Sequence, residues 1–244
     1  MSSQFLENFK ALRRCLIRSA MGFIVAVIAL LPFTQELFSM AGAPLLRALP
    51  QGTAMLAVGV ISPVIGPLKV VLFCAFALSL PWSLWQLWLF VAPALFKNEK
   101  SATLLFVLSA LCMFVAGTAY CYLVVFNFLF PFIASFAPQS VSFAPDIDSY
   151  ISFMLRMFLA FGLAFETPVG VCLLIFFNLI SLARLKRIRR YVIVGAFAVA
   201  AILTPPDVTS QLLLALPLIV LYELGLMVAS VIFKKRHAEV VALN

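Results

Sequence analysis

The sequence predicts an all-α, polytopic membrane protein with six transmembrane helices and both termini on the cytoplasmic side. Apolar residues make up 65% of its 244 residues and charged residues 11%, against about 45–50% and about 25% in soluble domains. The mean hydropathy is +1.15, and a soluble fold of this length has too small a core to cover so much apolar surface. No long polar stretch separates the apolar runs, so we expect a single transmembrane domain over residues 1–244.

Each predicted span rests on an apolar run, since about 20 such residues cross about 30 Å of hydrocarbon. The predicted spans are 20–38, 68–90, 102–129, 150–180, 191–203 and 211–233. The first resembles a cleavable signal peptide, but its apolar run is longer than the 7–15 residues of such a segment, so we expect it to be retained. The fifth reaches only about 20 Å at 1.5 Å per residue, which makes it unusually short.

The distribution of Lys and Arg predicts the orientation. Fourteen of these residues lie before the first span, in the second and fourth connections or after the last span, and only Arg47 lies in the others. Because cytoplasmic loops carry the excess of Lys and Arg, both termini are predicted to be cytoplasmic. The first outer connection, 38–67, contains a short apolar stretch, 55–61, which we expect to lie on the outer membrane interface as a cap.

The residues that enzymes need for catalysis are scarce. The chain has no phosphate-binding G-x-x-x-x-G-K-[ST] loop. Its one histidine, His237, has no second imidazole or cysteine pair at zinc-ligand spacing. The five cysteines lie in or beside apolar runs and are interpreted as small buried side chains. We therefore expect no enzymatic activity, no metal, no cofactor and no nucleic-acid partner, which leaves binding, transport or scaffolding.

Ionisable residues inside spans are the most informative, because each is costly in lipid unless it is paired or hydrated. Glu166 lies deep in the fourth span beside Pro168. It faces either a polar groove or partner helix, or a neighbouring helix to which it is hydrogen-bonded as a structural carboxylate. Arg156 is a poor partner for it, since ten residues separate them by about 15 Å along one helix. Lys69, at a span end, is expected to direct its amine towards the membrane surface.

Several runs, in order along the chain, resemble the TatC family, the multispanning subunit of the bacterial twin-arginine protein translocase. The resemblance covers residues 9–233. Its most specific runs are Ala43-Pro44-Leu45, Leu49-Pro50-Gln51-Gly52, Phe90-Val91-Ala92-Pro93-Ala94-Leu95 leading to Glu99, Phe165-Glu166-Thr167-Pro168-Val169, and Leu203-Thr204-Pro205-Pro206-Asp207-Val208. The family has six spans with both termini inside, which agrees with the spans and charges above.

The resemblance implies a receptor that binds the twin-arginine signal peptides of folded cargo at the cytoplasmic face. With TatA- and TatB-type single-span partners, and with copies of itself, it would pass cargo outward on the proton-motive force. The signal-binding residues implied or suggested by their position are Glu99, Phe90, Lys97, Leu12, Arg13 and Glu7. Glu166 and Tyr122 would belong to an intramembrane partner groove, and Pro44 and Asp207 to the outer cap and translocation.

The N-terminal segment departs from the family pattern. The family normally reads His-Leu-x-Glu-Leu-Arg-x-Arg-Leu, whereas this chain reads Asn8-Phe9-Lys10-Ala11-Leu12-Arg13-Arg14-Cys15-Leu16. Ala11 thus replaces a signal-binding glutamate. Glu7 lies four residues earlier, on the same face if the segment is helical. Our hypothesis is that Glu7 partly substitutes for the missing carboxylate; the equal alternative is that this chain has a weakened or altered signal preference.

Two other functions remain as alternatives at this point. A secondary transporter for a small solute would show internal repeats and interrupted helices at mid-membrane, and no repeat is evident. A lipid-modifying membrane enzyme would need His, Asp or Glu side chains clustered at one face, and the sequence shows no such cluster. The transporter is the stronger of the two alternatives.

Overall fold

A computed structural model of the chain describes residues 2–48, 55–95, 100–135, 145–176, 179–203 and 208–242. These residues are almost entirely helical, apart from an isolated bridge between Leu56 and Asp146, so the predicted all-α class is confirmed. The helices are α1 (Ser2–Leu30), α2 (Thr34–Ala48), α3 (Ser62–Leu95), α4 (Lys100–Tyr120), α5 (Phe126–Ser135), α6 (Ile147–Phe165), α7 (Thr167–Phe176), α8 (Leu182–Leu203) and α9 (Val208–Ala242).

Five helical segments of the described chain are long and apolar enough to cross a membrane. They are Phe9–Arg47, Ser62–Leu87, Leu105–Ser135, Ile147–Phe176 and Gln211–Val231. The predicted span 191–203 lies within α8, which begins nine residues earlier and is not one of the five. The part of α8 that precedes the predicted span carries five basic residues between 184 and 190. The helix is therefore longer than the predicted span, but its apolar part is not.

Two predicted connections are shorter than the sequence suggested, because proline does not end the helices there. A 3-10 turn at Leu31–Phe33 joins α1 to α2, which continues to Ala48. Pro44 was expected in the outer connection; it is instead buried inside α2. Pro131 likewise lies inside α5, so the third span extends to Ser135 rather than to 129. In lipid a helix keeps its other backbone groups bonded, and this favours continuation through a proline.

The fourth span is two helices rather than one. α6 ends at Phe165, α7 begins at Thr167, and Glu166 lies at the break. Pro168 has no N–H to donate to the carbonyl of Ala164, four residues earlier. The hydroxyl of Thr167 donates to that carbonyl instead, at 2.6 Å. α7 ends at Phe176, four residues before the predicted end of the span.

Contacts group the chain into two compact units. The first consists of Met1–Leu111 with Phe126–Arg156, and the second of Cys112–Val125 with Met157–Asn244. The prediction of a single domain stays a prediction.

In the first unit, α3 runs antiparallel to α1 and α2. The indole N–H of Trp82 donates to the backbone oxygen of Arg18 at 3.0 Å. A methyl group at Gly22 would lie 2.5 Å from the indole, so only glycine allows this close approach. At the opposite end of α3, Phe38 of α2 lies against Gly66.

The apolar stretch 55–61 is tied to the start of α6 in the same unit. The N–H of Leu56 donates to the carbonyl of Pro145 at 3.0 Å, and the N–H of Ile147 donates to the carbonyl of Leu56 at 2.9 Å. Asp146 accepts from the backbone N–H and hydroxyl of Ser149, and these bonds lower the pKa of Asp146. Val60 is 98% exposed. Attachment to α6 is thus observed, while the position of the stretch on the membrane interface stays a prediction.

In the second unit, glycines allow helices to pack closely, as small residues do in membranes. A methyl group at Gly162 of α6 would lie 2.5 Å from the ring of Phe114 of α4, and one at Gly225 of α9 would lie 2.8 Å from Pro168 of α7. The buried core of α7, α8 and α9 consists of Val171, Ile175, Leu185, Tyr222, Leu226 and Ala229.

A membrane-embedded carboxylate and a paired helix end

Glu166 carries a carboxylate that no described residue binds. It lies half-buried at the break between α6 and α7. Its backbone is bonded on both sides, to Leu163 and from Gly170. Among the residues that the structure describes, however, no hydrogen bond or ion pair reaches its carboxylate. A lone carboxylate in a span is costly. No bond from Glu166 to a neighbouring helix is found among the described residues, and the interpretation that it faces a polar groove or a partner helix stays a prediction.

Tyr120 packs against two aromatic side chains of α6 that precede Glu166 in the sequence. The ring of Tyr120 lies 5.6 Å from that of Phe165 and 5.8 Å from that of Phe161. Tyr120 also lines an open apolar groove of 510 Å³ with Leu212, Leu213, Leu216, Pro217 and Val220 of α9. This groove lies in the second unit and is wide enough to accept side chains of another helix.

Tyr122 is the residue that the resemblance implies in a partner groove. It is part of a π-helical turn at Cys121–Val125, and its ring packs 6.3 Å from that of Phe158. Tyr120 lines the apolar groove described above, and a role of Tyr122 in a partner groove stays a prediction. No motif in the sequence distinguished these two tyrosines, because the π turn that changes the register of the helix has no clear sequence signature.

Four of the six candidate signal-binding residues lie on the neighbouring ends of α1 and α3: Glu7, Leu12, Arg13 and Phe90. From the contact between Arg18 and Trp82, Leu12 is six residues back along α1, or about 9 Å, and Phe90 is eight residues on along α3, or about 12 Å. Because the two helices are antiparallel, Leu12 and Phe90 both lie towards the same end of the first unit. Arg13 is exposed there and Leu12 half-buried. The structure thus brings together two segments that are about 80 residues apart in sequence.

Some of the predicted site residues cannot be placed in this geometry. Lys97, Glu99 and Asp207 lie outside the described residues. Glu7 and Phe90 belong to α1 and α3, respectively, and the structure describes their backbone but not their side chains.

Two ion pairs join helices in ways that the sequence did not reveal. Lys69 was expected to extend to the membrane surface; instead its amine donates to Asp148 at 2.7 Å and to the hydroxyl of Ser152 at 2.9 Å. In the second unit, Arg189 of α8 binds Glu223 of α9 through two nitrogens, at 2.6 and 2.7 Å. The run of five cations between 184 and 190, opposite the one acid of the last span, was the available signal for this second pair.

These observations define a class, a multi-pass all-α membrane protein. The family model for the Sec-independent protein translocase protein TatC matches residues 7–217. The chain therefore belongs to the TatC family. The proteins of this family are components of a membrane protein translocase and are not enzymes. This confirms the resemblance drawn from the sequence, together with the predicted non-enzymatic, membrane-transport character.

Named relatives agree with this assignment. The chain is 43% identical to the TatC of Halothiobacillus neapolitanus over 96% of its own length and 64% of that relative. It is 42% identical to the TatC of Azotobacter chroococcum, over 96% of its length and 91% of the relative. It is also 42% identical to the TatC of Escherichia coli K12, over 88% of its length and 83% of the relative. The chain thus spans just under two thirds of the first relative and most of the other two.

Two solved structures share the fold. A crystal structure of the twin arginine translocase receptor TatC has a TM-score of 0.80 and 30% identity, covering 92% of this chain and 98% of that one. A second crystal structure of that receptor, in DDM, has a TM-score of 0.82, also at 30% identity, covering 91% and 99%.

Proposed function

We propose that this chain is the receptor core of a twin-arginine translocase in the bacterial cytoplasmic membrane. It binds Arg-Arg signal peptides of folded proteins at the cytoplasmic face. With TatA- and TatB-type single-span partners it mediates their export, driven by the proton-motive force. Both termini lie in the cytoplasm, as the distribution of Lys and Arg predicts. Family membership and the named receptor among its structural relatives support the proposal.

The observation that carries the proposal is the pairing of α1 with α3. It places the N-terminal segment and the end of α3, which leads to Glu99, at one end of the first unit. A twin-arginine motif favours carboxylate partners, because each planar guanidinium can donate two parallel hydrogen bonds to one carboxylate. In the proposal Glu99 holds an arginine of the signal, with Glu7 as a weaker second acid. Phe90 and Leu12 contribute apolar surface.

The remaining candidate residues divide between this face and the rest of the chain. Lys97 and Arg13 flank the signal-binding acids. In the membrane, a polar group of a partner helix approaches the carboxylate of Glu166. The apolar groove lined by Tyr120 and α9 accepts side chains of such a helix. Pro44 and Asp207 belong to the outer half, where they support the cap and translocation.

Photo-crosslinking from position 98 tests the signal-binding face. A probe replacing Asn98 is exposed to a twin-arginine signal peptide and to the same peptide with twin lysines. We expect a crosslink with the arginines that is lost with the lysines, since an ammonium does not reproduce the bidentate guanidinium geometry. A probe at Val60, at the other end of the first unit and fully exposed, is the matched control and should give none.

The opposite results would contradict the proposal. Equal crosslinks with arginine and lysine peptides would show that the face does not read the arginine pair. No crosslink from position 98 in membranes that hold the intact protein would mean either that the altered segment around Ala11 has abolished recognition or that this chain lacks the receptor function. The small-solute transporter has no observation in its favour.

A further inference from the structure

Arg156 is a charged residue of the membrane-spanning part of α6 that the proposed function does not use. It lies nine residues after Ile147, about 14 Å along the helix. Its side chain is exposed, and its Nε donates to the carbonyl of Ser152 at 3.1 Å. Because Ser152 is one turn nearer the start of the helix, the arginine side chain runs back towards the nearer end of the span, as long cationic side chains do in membranes.

The polar residues around Arg156 carry an excess positive charge. Asp148, Ser152 and Arg156 are spaced at four-residue intervals, so they share one face of α6. Lys69 of α3 binds Asp148 at 2.7 Å and Ser152 at 2.9 Å. The charge of Asp148 is therefore neutralised by Lys69. No acidic side chain within the described ranges pairs with Arg156, so the cluster of Lys69, Asp148 and Arg156 has two cations, one anion and one uncompensated positive charge.

An uncompensated guanidinium within a span needs an anion or water. Arg156 is exposed and no acid of the described ranges reaches it, so we take its anion to come from outside the chain. Further along α3, the residues three and seven positions after Lys69 are apolar and exposed: Leu72 is 39% and Phe76 37% exposed. These spacings place them near the face of α3 that carries Lys69. The first unit thus presents charged groups near one membrane end and apolar surface deeper in the span.

We propose that Arg156, beside the Lys69–Asp148 pair, binds the phosphate of an anionic phospholipid whose acyl chains lie along Leu72 and Phe76. The planar guanidinium of Arg156 can donate hydrogen bonds to two phosphate oxygens at once, a geometry that an ammonium group does not offer. The direction of the arginine side chain, towards the end of the span, favours a headgroup over a carboxylate carried at mid-membrane by a partner helix. In the proposed orientation this lipid belongs to the outer leaflet.

Native mass spectrometry of the purified, delipidated protein titrated with phosphatidylglycerol tests the site, with phosphatidylcholine as the zwitterionic comparison. We expect Arg156→Gln to weaken phosphatidylglycerol binding about tenfold, the effect of losing one charge-assisted contact, and to leave phosphatidylcholine binding unchanged. Arg156→Lys should retain part of the preference. Arg47→Gln is the matched control, because Arg47 is an exposed arginine in the last turn of α2, outside the cluster, and it should behave as the wild type.

For a second variant we expect phosphatidylglycerol binding to change in the opposite direction. Asp148→Asn removes the anion that neutralises Lys69, so it should strengthen phosphatidylglycerol binding. Circular dichroism and size-exclusion chromatography confirm that each variant is folded. Equal phosphatidylglycerol binding by the wild type and Arg156→Gln would overturn the proposal. A photo-probe at Leu159, one turn along α6, that labels a protein helix in membranes and no lipid would overturn it in favour of a partner carboxylate.

Discussion

Glu166 and Glu223 are both glutamates of membrane-spanning segments in the second unit, yet their surroundings differ. Glu223 receives two hydrogen bonds from Arg189 of the adjacent helix. Glu166 lies at a helix break, and its carboxylate has no partner among the described residues. In the sequence each is an acid within an apolar run. In the structure Glu223 is bonded within the second unit, whereas in the proposed function the carboxylate of Glu166 meets a group outside the chain.

Removing the carboxylate of Glu166 should have the largest functional effect. We expect Glu166→Ala to lower export of a twin-arginine cargo at least about tenfold, because a charged hydrogen bond to a partner is worth about 1.5–3 kcal/mol. The thermal stability of the purified protein should hardly change. Export of the cargo in vivo and unfolding in detergent measure the two effects.

Glu36→Ala is the control for this experiment, since Glu36 is an exposed acid in the first turn of α2. It should leave export unchanged. Normal export by Glu166→Ala would reduce Glu166 to a structural residue and remove the contrast with Glu223.

A substitution at Gly162 should affect stability instead. Its new methyl group would lie 2.5 Å from the ring of Phe114, so Gly162→Ala should destabilise the second unit by about 1–3 kcal/mol through overpacking. Gly170→Ala, in the following helix, is the matched control, because nothing apart from its own chain neighbours and the local helix backbone lies within 4 Å of the position of its methyl group. Denaturant unfolding of both variants gives the difference. Equal unfolding midpoints would show that α4 and α6 do not pack as closely as described.

Substitution of Ala11 by glutamate would restore the carboxylate that the family pattern has at this position. Ala11→Glu should strengthen binding of a twin-arginine peptide up to about tenfold, because it adds one acceptor for a guanidinium. Ala11→Gln has the same length without the charge and should bind the peptide as the wild type does. Peptide titration of both variants measures this effect. Unchanged affinity in Ala11→Glu would mean that Ala11 does not weaken signal recognition.

The ion pair of Glu223 should give the smallest effect. The Arg189 and Glu223 side chains are 49% and 31% exposed, and exposed pairs are worth about 0–1 kcal/mol. A double-mutant cycle with Arg189→Ala and Glu223→Gln should therefore give a coupling energy within about 1 kcal/mol. Loss of export in Glu223→Gln without loss of stability would give Glu223 the kind of role that we propose for Glu166.

The fold class could be read from the sequence because composition fixes the surrounding medium and apolar runs fix most of the spans. The helix ends could not be. Pro44 and Pro131 predicted loops, yet both lie inside helices, since in lipid the remaining backbone groups still require a helix. The cation-rich run before Tyr191 predicted a connection, yet it is the first half of α8. The charges of this run exclude it from lipid but do not end the helix, since Lys and Arg are good helix formers. Leu185 of α8 is also buried against α9, and its carbonyl accepts from the hydroxyl of Tyr222.

The candidate site could be predicted only in part. Glu166 could be predicted as a candidate because a charge within an apolar run is conspicuous, but the helix break at Glu166 was not predicted. The partners of Lys69 and Glu223 were hidden, because each pair joins residues of different helices and no local spacing reports such a contact. The neighbouring ends of α1 and α3 were likewise hidden, since the closeness of these helices depends on Gly22 and Trp82, which no motif marks.

The bond between Thr167 and Ala164 has a consequence for what the fourth span requires of its surroundings. A proline in a transmembrane helix normally leaves a carbonyl that must find water or another donor. Here the donor is a hydroxyl of the same chain, one residue before the proline. The carbonyl of Ala164 is therefore satisfied without water or a second helix, so the break between α6 and α7 can persist even where lipid covers it.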